Sequence, residues 1–478
     1  MWTAPSSRTT TAIERNRCRK RAGWADGRPA FFYGGGKGMD GQRLTVIGGG
    51  LAGCEAAWQA AEMGVAVDLF EMRPQRRSPA HETDLLGELV CSNSLRSNAV
   101  NSAAGLLKEE MRRLGSLVLR AADATSLPAG TALAVDRQRF AAFLEAVIAG
   151  QPLITVHRRE VTALPDTSAG PVILAAGPLL AGPLAAALQQ LTGGGLSFYD
   201  AIAPIVEADS LDLNIIYRKS RWDDEGPGDY LNCPMDRDQY EQFITLLGSA
   251  GTVPLHDFEK AHYFEGCLPI EVMCARGAET LRFGPMKPVG LARPDTGELP
   301  YAVVQLRAEN RERTSYNLVG FQTKLTYPEQ QRVLRTIPGL ERAVFLRYGS
   351  VHRNSFVCAP RVLAPDLSVR TTPGLYLAGQ LSGVEGYLES AAMGLLAGLN
   401  AARRLLGRAP ILPPPDTAHG ALIRHLVDSD PDHFQPSNVN FGLFPPLAGR
   451  VRRRDRGRLR AELALARLAA WQHELNEN

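Results

Sequence analysis

The chain has no CxxC pair, no cysteine–histidine set at zinc spacing, and no apolar run of membrane-spanning length. Its seven cysteines (Cys18, Cys54, Cys91, Cys233, Cys267, Cys274 and Cys358) are odd in number and widely spaced. This excludes a zinc ribbon and an adjacent dithiol redox motif, predicts no metal site, and fits free thiols in a reducing, cytoplasmic setting. Aromatic residues make up only 7%, and the formal net charge is only +3 over 478 residues. So small a charge does not by itself argue for nucleic-acid binding, and any basic surface must be local. Residues 1–38 carry eight Arg/Lys and two Asp/Glu, which leaves −3 for the rest. They show no strand or helix pattern and are read as a disordered extension before Met39, or as a start assigned too early. A basic RNA-touching arm is a further reading.

Glycine and proline are plentiful, at 46 and 32 residues, and hydrophobic content is an ordinary 45%. RLTVIGGG (43–50) is a short apolar strand running into glycines, LAGCEAAWQAAEMG (51–64) has helical spacing, and VAVDLFEM (65–72) is a second strand. This is βαβ order and predicts a parallel sheet. Helical patterns follow at 103–120 and 136–149, and strand patterns at ITVHRREVTAL and PVILAAGP. Residues 373–407 return to strand, glycine turn and long helix. The predicted fold is α/β: a discontinuous Rossmann-like FAD-binding domain (42–189 and 346–448) with an inserted α+β substrate domain (190–345). A basic tail and helix (449–478) complete the chain.

Gly48, Gly50 and Gly53 form GxGxxG. The first permits the tight turn, the second lets a pyrophosphate reach the backbone, and the third allows helix–strand packing. Gly48, Gly49, Gly50, Leu51, Ala52 and Gly53 are the candidate cofactor turn, because the N–H groups of a helix start favour phosphate. Glu71, ending the second strand, is placed to accept from both ribose hydroxyls, and its charge disfavours a 2′-phosphate there. Gly379 and Gly383 in the late unit allow close approach of the other half of a long dinucleotide, which favours FAD over NAD. The plainer reading of those two is an ordinary turn.

Cys91 lies in GELVCSNSLRSNAV (87–100), a polar stretch with Arg96 five residues on. Near cationic or flavin groups its thiolate would be favoured; otherwise it is a buried structural cysteine. Cys267 lies in HYFEGCLPIEVMCARG (262–277), with Cys274, Glu265 and Glu271 nearby. The two carboxylates are acid/base candidates; alternatively Glu271 is solvated and Cys274 is core. Two separated thiols suit addition chemistry or a redox pair. Arg96, Lys287 and the seven arginines of GRVRRRDRGRLR (449–460) are candidates for anionic partners, the last also readable as a partly disordered tail.

VIGGGLAGCEAAWQAAEMGVAVDLFEMRP, GELVCSNSLRSN, YFEGCLPIEVM, LRFGPMKPVGL and LYLAGQLSGVEGYLESAAMGLLAGLNAA occur in one order from Gln42 to about residue 443. In this the chain resembles the folate- and FAD-dependent tRNA (uracil-5-)-methyltransferases. The resemblance implies methylation of uridine 54 in the tRNA T-loop, with 5,10-methylenetetrahydrofolate as carbon donor, FAD as flavin, and NADPH or NADH as reductant. It makes Cys267 and Cys91 the functional thiols, Cys267 as the nucleophile at uracil C6 and Cys91 beside the flavin as base or second thiol. The alternatives are a related wobble-uridine-modifying flavoenzyme, a non-catalytic flavin-containing RNA-binding protein, and a two-thiol flavin disulfide reductase.

Overall fold

The computed structural model describes residues 42–180, 182–194, 196–221, 228–254 and 268–477. The predicted extension at 1–38, and Cys267 with Glu265, lie outside the described residues. Strand Leu44–Ile47 pairs in parallel with Val67–Glu71 on one side and Val172–Leu174 on the other. Ile154–Arg158 extends the sheet beyond Val67–Glu71, and Leu375–Leu377 closes the other edge beside Val172–Leu174. All five strands are parallel, and the last arrives after a long excursion. This is the discontinuous Rossmann-like sheet that the βαβ order predicts.

The excursion builds a second sheet of six antiparallel strands, centred on Ala302–Ala308 and Ser315–Leu318. It has its own apolar core, with Phe243, Phe321, Leu306 and Leu318 fully buried. Two elements differ from their sequence patterns. The 103–120 region is two helices, Ala103–Arg113 and Leu117–Ala124. The chain turns at Gly115, and the Ser116 side chain caps the second helix. The strand beginning at Ile154 stops at Arg158, where pairing with Glu71 ends.

Helix Leu51–Glu62 is buried on nearly every side, from Leu51 to Ala61. Small side chains allow this. Its main neighbour is Tyr387–Leu405, and a Cβ on Gly394 or Gly398 of that helix would lie 2.2 Å from Ala52 O or 2.5 Å from Ala56 O. The two backbones are therefore in direct contact. Glu55, fully buried on the same helix, accepts from Ser116 Oγ (2.8 Å) and from the N–H groups of Leu117 (3.2 Å) and Val118 (2.9 Å). A buried acid is tolerated there because it caps the positive end of helix Leu117–Ala124.

The terminal segment continues into a helix. Helix Arg456–Glu477 packs Ala461, Ala464, Leu468 and Trp471 into the main core. Gln472 Nε2 donates to Arg113 O at 3.1 Å. Among the described residues, no helix is long and apolar enough to cross a membrane.

Candidate cofactor and thiol site

The glycine turn is built from contacts that admit no side chain. Gly48 has φ +107°, and a Cβ there would lie 2.4 Å from Ala175 O; one on Gly53 would lie 1.8 Å from Gly48 O. A Cβ on Gly49 would meet Leu86 Cδ2 at 2.4 Å and Glu71 Oε2 at 2.8 Å. Gly50 is different: a Cβ there would meet nothing within 4 Å. That gap lies at the N-terminus of Leu51–Glu62, where Leu51, Ala52 and Gly53 have no carbonyl of their own helix to bond. Open space plus unpaired donors fits the pyrophosphate of a dinucleotide.

Glu71 is 5% exposed, and its carboxylate is already engaged. Oε2 accepts from Gly49 N–H (2.9 Å), and Oε1 accepts from Arg73 N–H (3.0 Å) and Arg73 Nε (2.8 Å). Arg73 also reaches Glu88 Oε2 at 3.1 Å. Burial alone would raise the Glu71 carboxyl, but Arg73 and the two N–H groups outweigh it and hold it below the usual carboxylate range. The expected free ribose acceptor is thus also the brace of the glycine turn. Arg73 and Glu88 were missed in sequence, because their pairing depends on the chain folding back between residues 73 and 88.

The 87–100 stretch begins on that turn: Gly87 N–H donates to Gly49 O at 2.8 Å. It is then clamped from several elements. Arg137 donates to Leu89 O, and Arg347 Nη1 to Val90 O at 2.8 Å. Arg307, from the central strand of the second sheet, donates to Asn93 Oδ1 (2.7 Å) and Ser92 Oγ (2.9 Å). Asn93, fully buried, donates to Val135 O (3.1 Å) and Ala308 O (2.9 Å). The stretch is polar because it bridges two sheets.

Cys91 is half-buried and free. Its N–H donates to the Tyr387 hydroxyl at 2.6 Å, as does that of Ser92 at 3.3 Å. Burial, Asp200 and Glu385 push the Cys91 thiol up to about 12, against the opposing pull of Tyr387 and Arg137. A thiolate was expected only beside cationic or flavin groups, and the protein alone favours the thiol. Tyr387, the first residue of Tyr387–Leu405, was not singled out in sequence; its place directly after Gly386 in the late glycine turn was the available signal.

The late turn faces the early one. A Cβ on Gly379 would lie 3.0 Å from Ala52 Cβ, and one on Gly383 would lie 2.6 Å from Phe434 Cζ. Protein fills the space where a side chain would stand at both glycines. Their turn nonetheless forms the wall next to Ala52. Glu385, 5% exposed, is pushed well above the usual carboxylate range by burial and then by Asp200.

Other candidates lie elsewhere. Arg96 pairs with the fully buried Glu389. Lys287 is exposed. Glu271 is buried rather than solvated and accepts from Thr323 Oγ1 (2.9 Å) and Lys324 N–H (2.8 Å). Cys274 is core. The chain re-enters the described region after Cys267 with Ile270 N–H on Gln322 O (2.8 Å), while Val253 N–H meets Lys324 O (2.8 Å). Among the described residues, no group of three or more His, Cys, Asp or Glu could hold a metal.

Fold and site together define a Rossmann-type dinucleotide-binding protein with a thiol loop resting on its glycine turn. The family model described as glucose inhibited division protein A matches residues 43–409. A protein of Desulfotalea psychrophila named Methylenetetrahydrofolate--tRNA-(uracil-5-)-methyltransferase TrmFO is 59% identical over 430 residues, covering 90% of this chain and 97% of its own. One of the same name from Geobacter sulfurreducens is 58% identical, covering 90% of this chain and 98% of its own. The Aquifex aeolicus GidA structure superposes with a TM-score of 0.67 at 20% identity, covering 91% of this chain and 74% of that one, a likeness of fold. The chain belongs to the glucose inhibited division protein A family and, within it, to the TrmFO methyltransferases.

Proposed function

We propose that this protein methylates C5 of uridine 54 in the T-loop of tRNA, with 5,10-methylenetetrahydrofolate as carbon donor, FAD as flavin and NADPH or NADH as reductant, in the cytoplasm. The TrmFO relatives, similar over nearly their whole length, support the reaction. The observation that carries it in this chain is the bond from Gly87 to Gly49, which seats the Cys91 loop on the dinucleotide turn. We also keep the division into 42–189 with 346–448, 190–345 and 449–478; the return of Leu375–Leu377 to the first sheet supports its discontinuous part.

Gly48 to Gly53 would hold the pyrophosphate in the gap beside Gly50, Glu71 braces that turn, and the Gly379–Gly383 turn walls it. The bound flavin supplies the reducing equivalent that converts a methylene group to methyl. Uracil C5 is a weak nucleophile until a thiolate adds at C6, which places an enolate across C4 and C5. Cys267 takes that role. C5 then bonds to the one-carbon unit and loses its proton to a base, the carbon's bonds to the folate nitrogens break and tetrahydrofolate departs, and a hydride delivered to the remaining methylene gives the methyl group as the Cys267 thiolate leaves and the ring is restored. Cys91, backed by Tyr387 and Arg137, is the thiol on the cofactor side. The target base must leave its stacked loop to be reached.

The enzyme incubated with tRNA, methylenetetrahydrofolate, FAD and NADPH should yield 5-methyluridine at position 54. Product only at a wobble uridine would move the reading to the related enzymes. Cys267→Ala should lose the covalent adduct with 5-fluorouridine tRNA, while Cys91→Ala should keep it. The opposite result reverses the two roles.

A further inference from the structure

The arginines before the last helix are held in a defined place. A Cβ on Gly457 would lie 2.3 Å from Asn101 O, so the start of Arg456–Glu477 is pressed against the residue that follows the Cys91 stretch. Arg460 lies 5.7 Å from the ring centres of both Phe441 and Phe444 and donates to Pro445 O at 2.8 Å. Two residues before Phe441, Val439 N–H donates to Glu389 Oε1 (2.7 Å), the oxygen that Arg96 also meets. The segment is therefore tied at both ends to chain that leads directly to the thiol site.

Its charge is concentrated. Residues 449–460 carry seven arginines and one aspartate, net +6. The chain total is +3, and residues 1–38 hold +6, so the remainder is −9. Arg450, Arg452 and Arg453 are exposed, and none has a side-chain hydrogen bond or ion pair among the described residues. Arg454 is 76% exposed and only 3.8 Å from Asp455. Arginine presents a planar fork of donors that matches phosphate oxygens. A cationic run held next to the chain that follows the Cys91 stretch, on an otherwise acidic chain, suits a polyanion that must be held while one of its bases is acted on.

We propose that Arg450–Arg454 is a phosphate clamp for the RNA backbone, holding the substrate at the rim of the Cys91 site; this rests on the tRNA reading above. Its ligand is a run of sugar-phosphates with no base selectivity, so it governs affinity and positioning rather than the choice of uridine.

The test compares flavin-loaded parent protein with two triple variants. One is Arg450→Gln, Arg452→Gln, Arg453→Gln. The other, on the second sheet's side, is Arg311→Gln, Arg313→Gln, Arg342→Gln, three exposed arginines with the same charge change. Affinity for full-length tRNA is read by fluorescence anisotropy from about 50 to about 200 mM salt. The first triple should bind about tenfold more weakly or worse at low salt, with a log–log salt slope shallower by about 2 to 3. Its KM for tRNA should rise by a similar factor at unchanged kcat. The second triple should match the parent. An unchanged slope and affinity in a flavin-retaining first triple overturns the clamp, as does an equal loss in the second. Selective loss of binding to phosphatidylserine vesicles, with tRNA binding intact, overturns it in favour of a membrane. If the parent binds tRNA through these arginines yet forms no 5-methyluridine, the clamp stands and the methylation reading fails.

Discussion

The two glycine turns look alike in sequence, yet they differ in what surrounds them. Around Gly48, Gly49 and Gly53 every added Cβ would collide with protein, whereas Gly50 opens onto empty space. In the late turn the volumes beside Gly379 and Gly383 are filled by Ala52 and Phe434. A glycine motif therefore marks close approach without saying whether protein or ligand approaches. Their charges differ as well. Glu71, at the early turn, accepts from the Arg73 guanidinium and two N–H groups. Glu389, at the late one, keeps an oxygen with no hydrogen-bond partner, and its neighbour Glu385 favours its proton.

The largest effect should come from closing the early turn on itself. Gly53→Ala places a Cβ 1.8 Å from Gly48 O, so strand and helix must part. A loss of about 3 kcal/mol or more is expected in chemical denaturation, with loss of flavin. Gly50→Ala should leave stability within about 0.5 kcal/mol but weaken flavin binding about tenfold or more, because only the ligand meets the new methyl. Normal flavin titration of Gly50→Ala would break the contrast between the turns.

The smallest effect sharpens the electrostatic half of the comparison. Glu71 has its folded pKa below the ordinary 4.5, so its stabilisation is present above that value and is lost as pH falls through the folded pKa. Glu385 has its folded pKa above 4.5, so its contribution is present below that value and is lost as pH rises. Glu71→Gln should therefore cost about 1–2 kcal/mol at neutral pH and progressively less in acid. Glu385→Gln should gain about 1 kcal/mol at neutral pH and nothing in acid. Urea unfolding of both variants at several pH values checks the opposite signs.

Local pattern made the early βαβ unit legible, since strand, turn and helix there are neighbours in sequence. The late strand was legible too, because LYLAGQ repeats the strand-to-glycine transition. What the sequence hid is pairing at a distance. Arg73 gave no sign of folding back upon Glu71. For Cys91 a thiolate beside cationic or flavin groups and a buried structural thiol both stayed open, because the carboxylates that oppose ionisation, Asp200 and Glu385, lie far along the chain. The 449–460 run read as a possible tail because its apolar anchors begin only at Ala461. Glu271 read either as an acid/base candidate or as a solvated carboxylate, because nothing near it announced the backbone of Lys324 as its partner.

Leu375–Leu377 has a consequence for how the protein is made. It covers the edge of Val172–Leu174, and residues 175–374 must be synthesised first. On the ribosome the nascent parallel sheet therefore waits with an unpaired apolar edge, open to mispairing with other chains. The helix supplying Gly394 and Tyr387 emerges later still, so neither the wall against Leu51–Glu62 nor the support under Cys91 exists during that wait. Flavin acquisition should therefore be a late event in biogenesis, and chains truncated before Leu375 should be aggregation-prone.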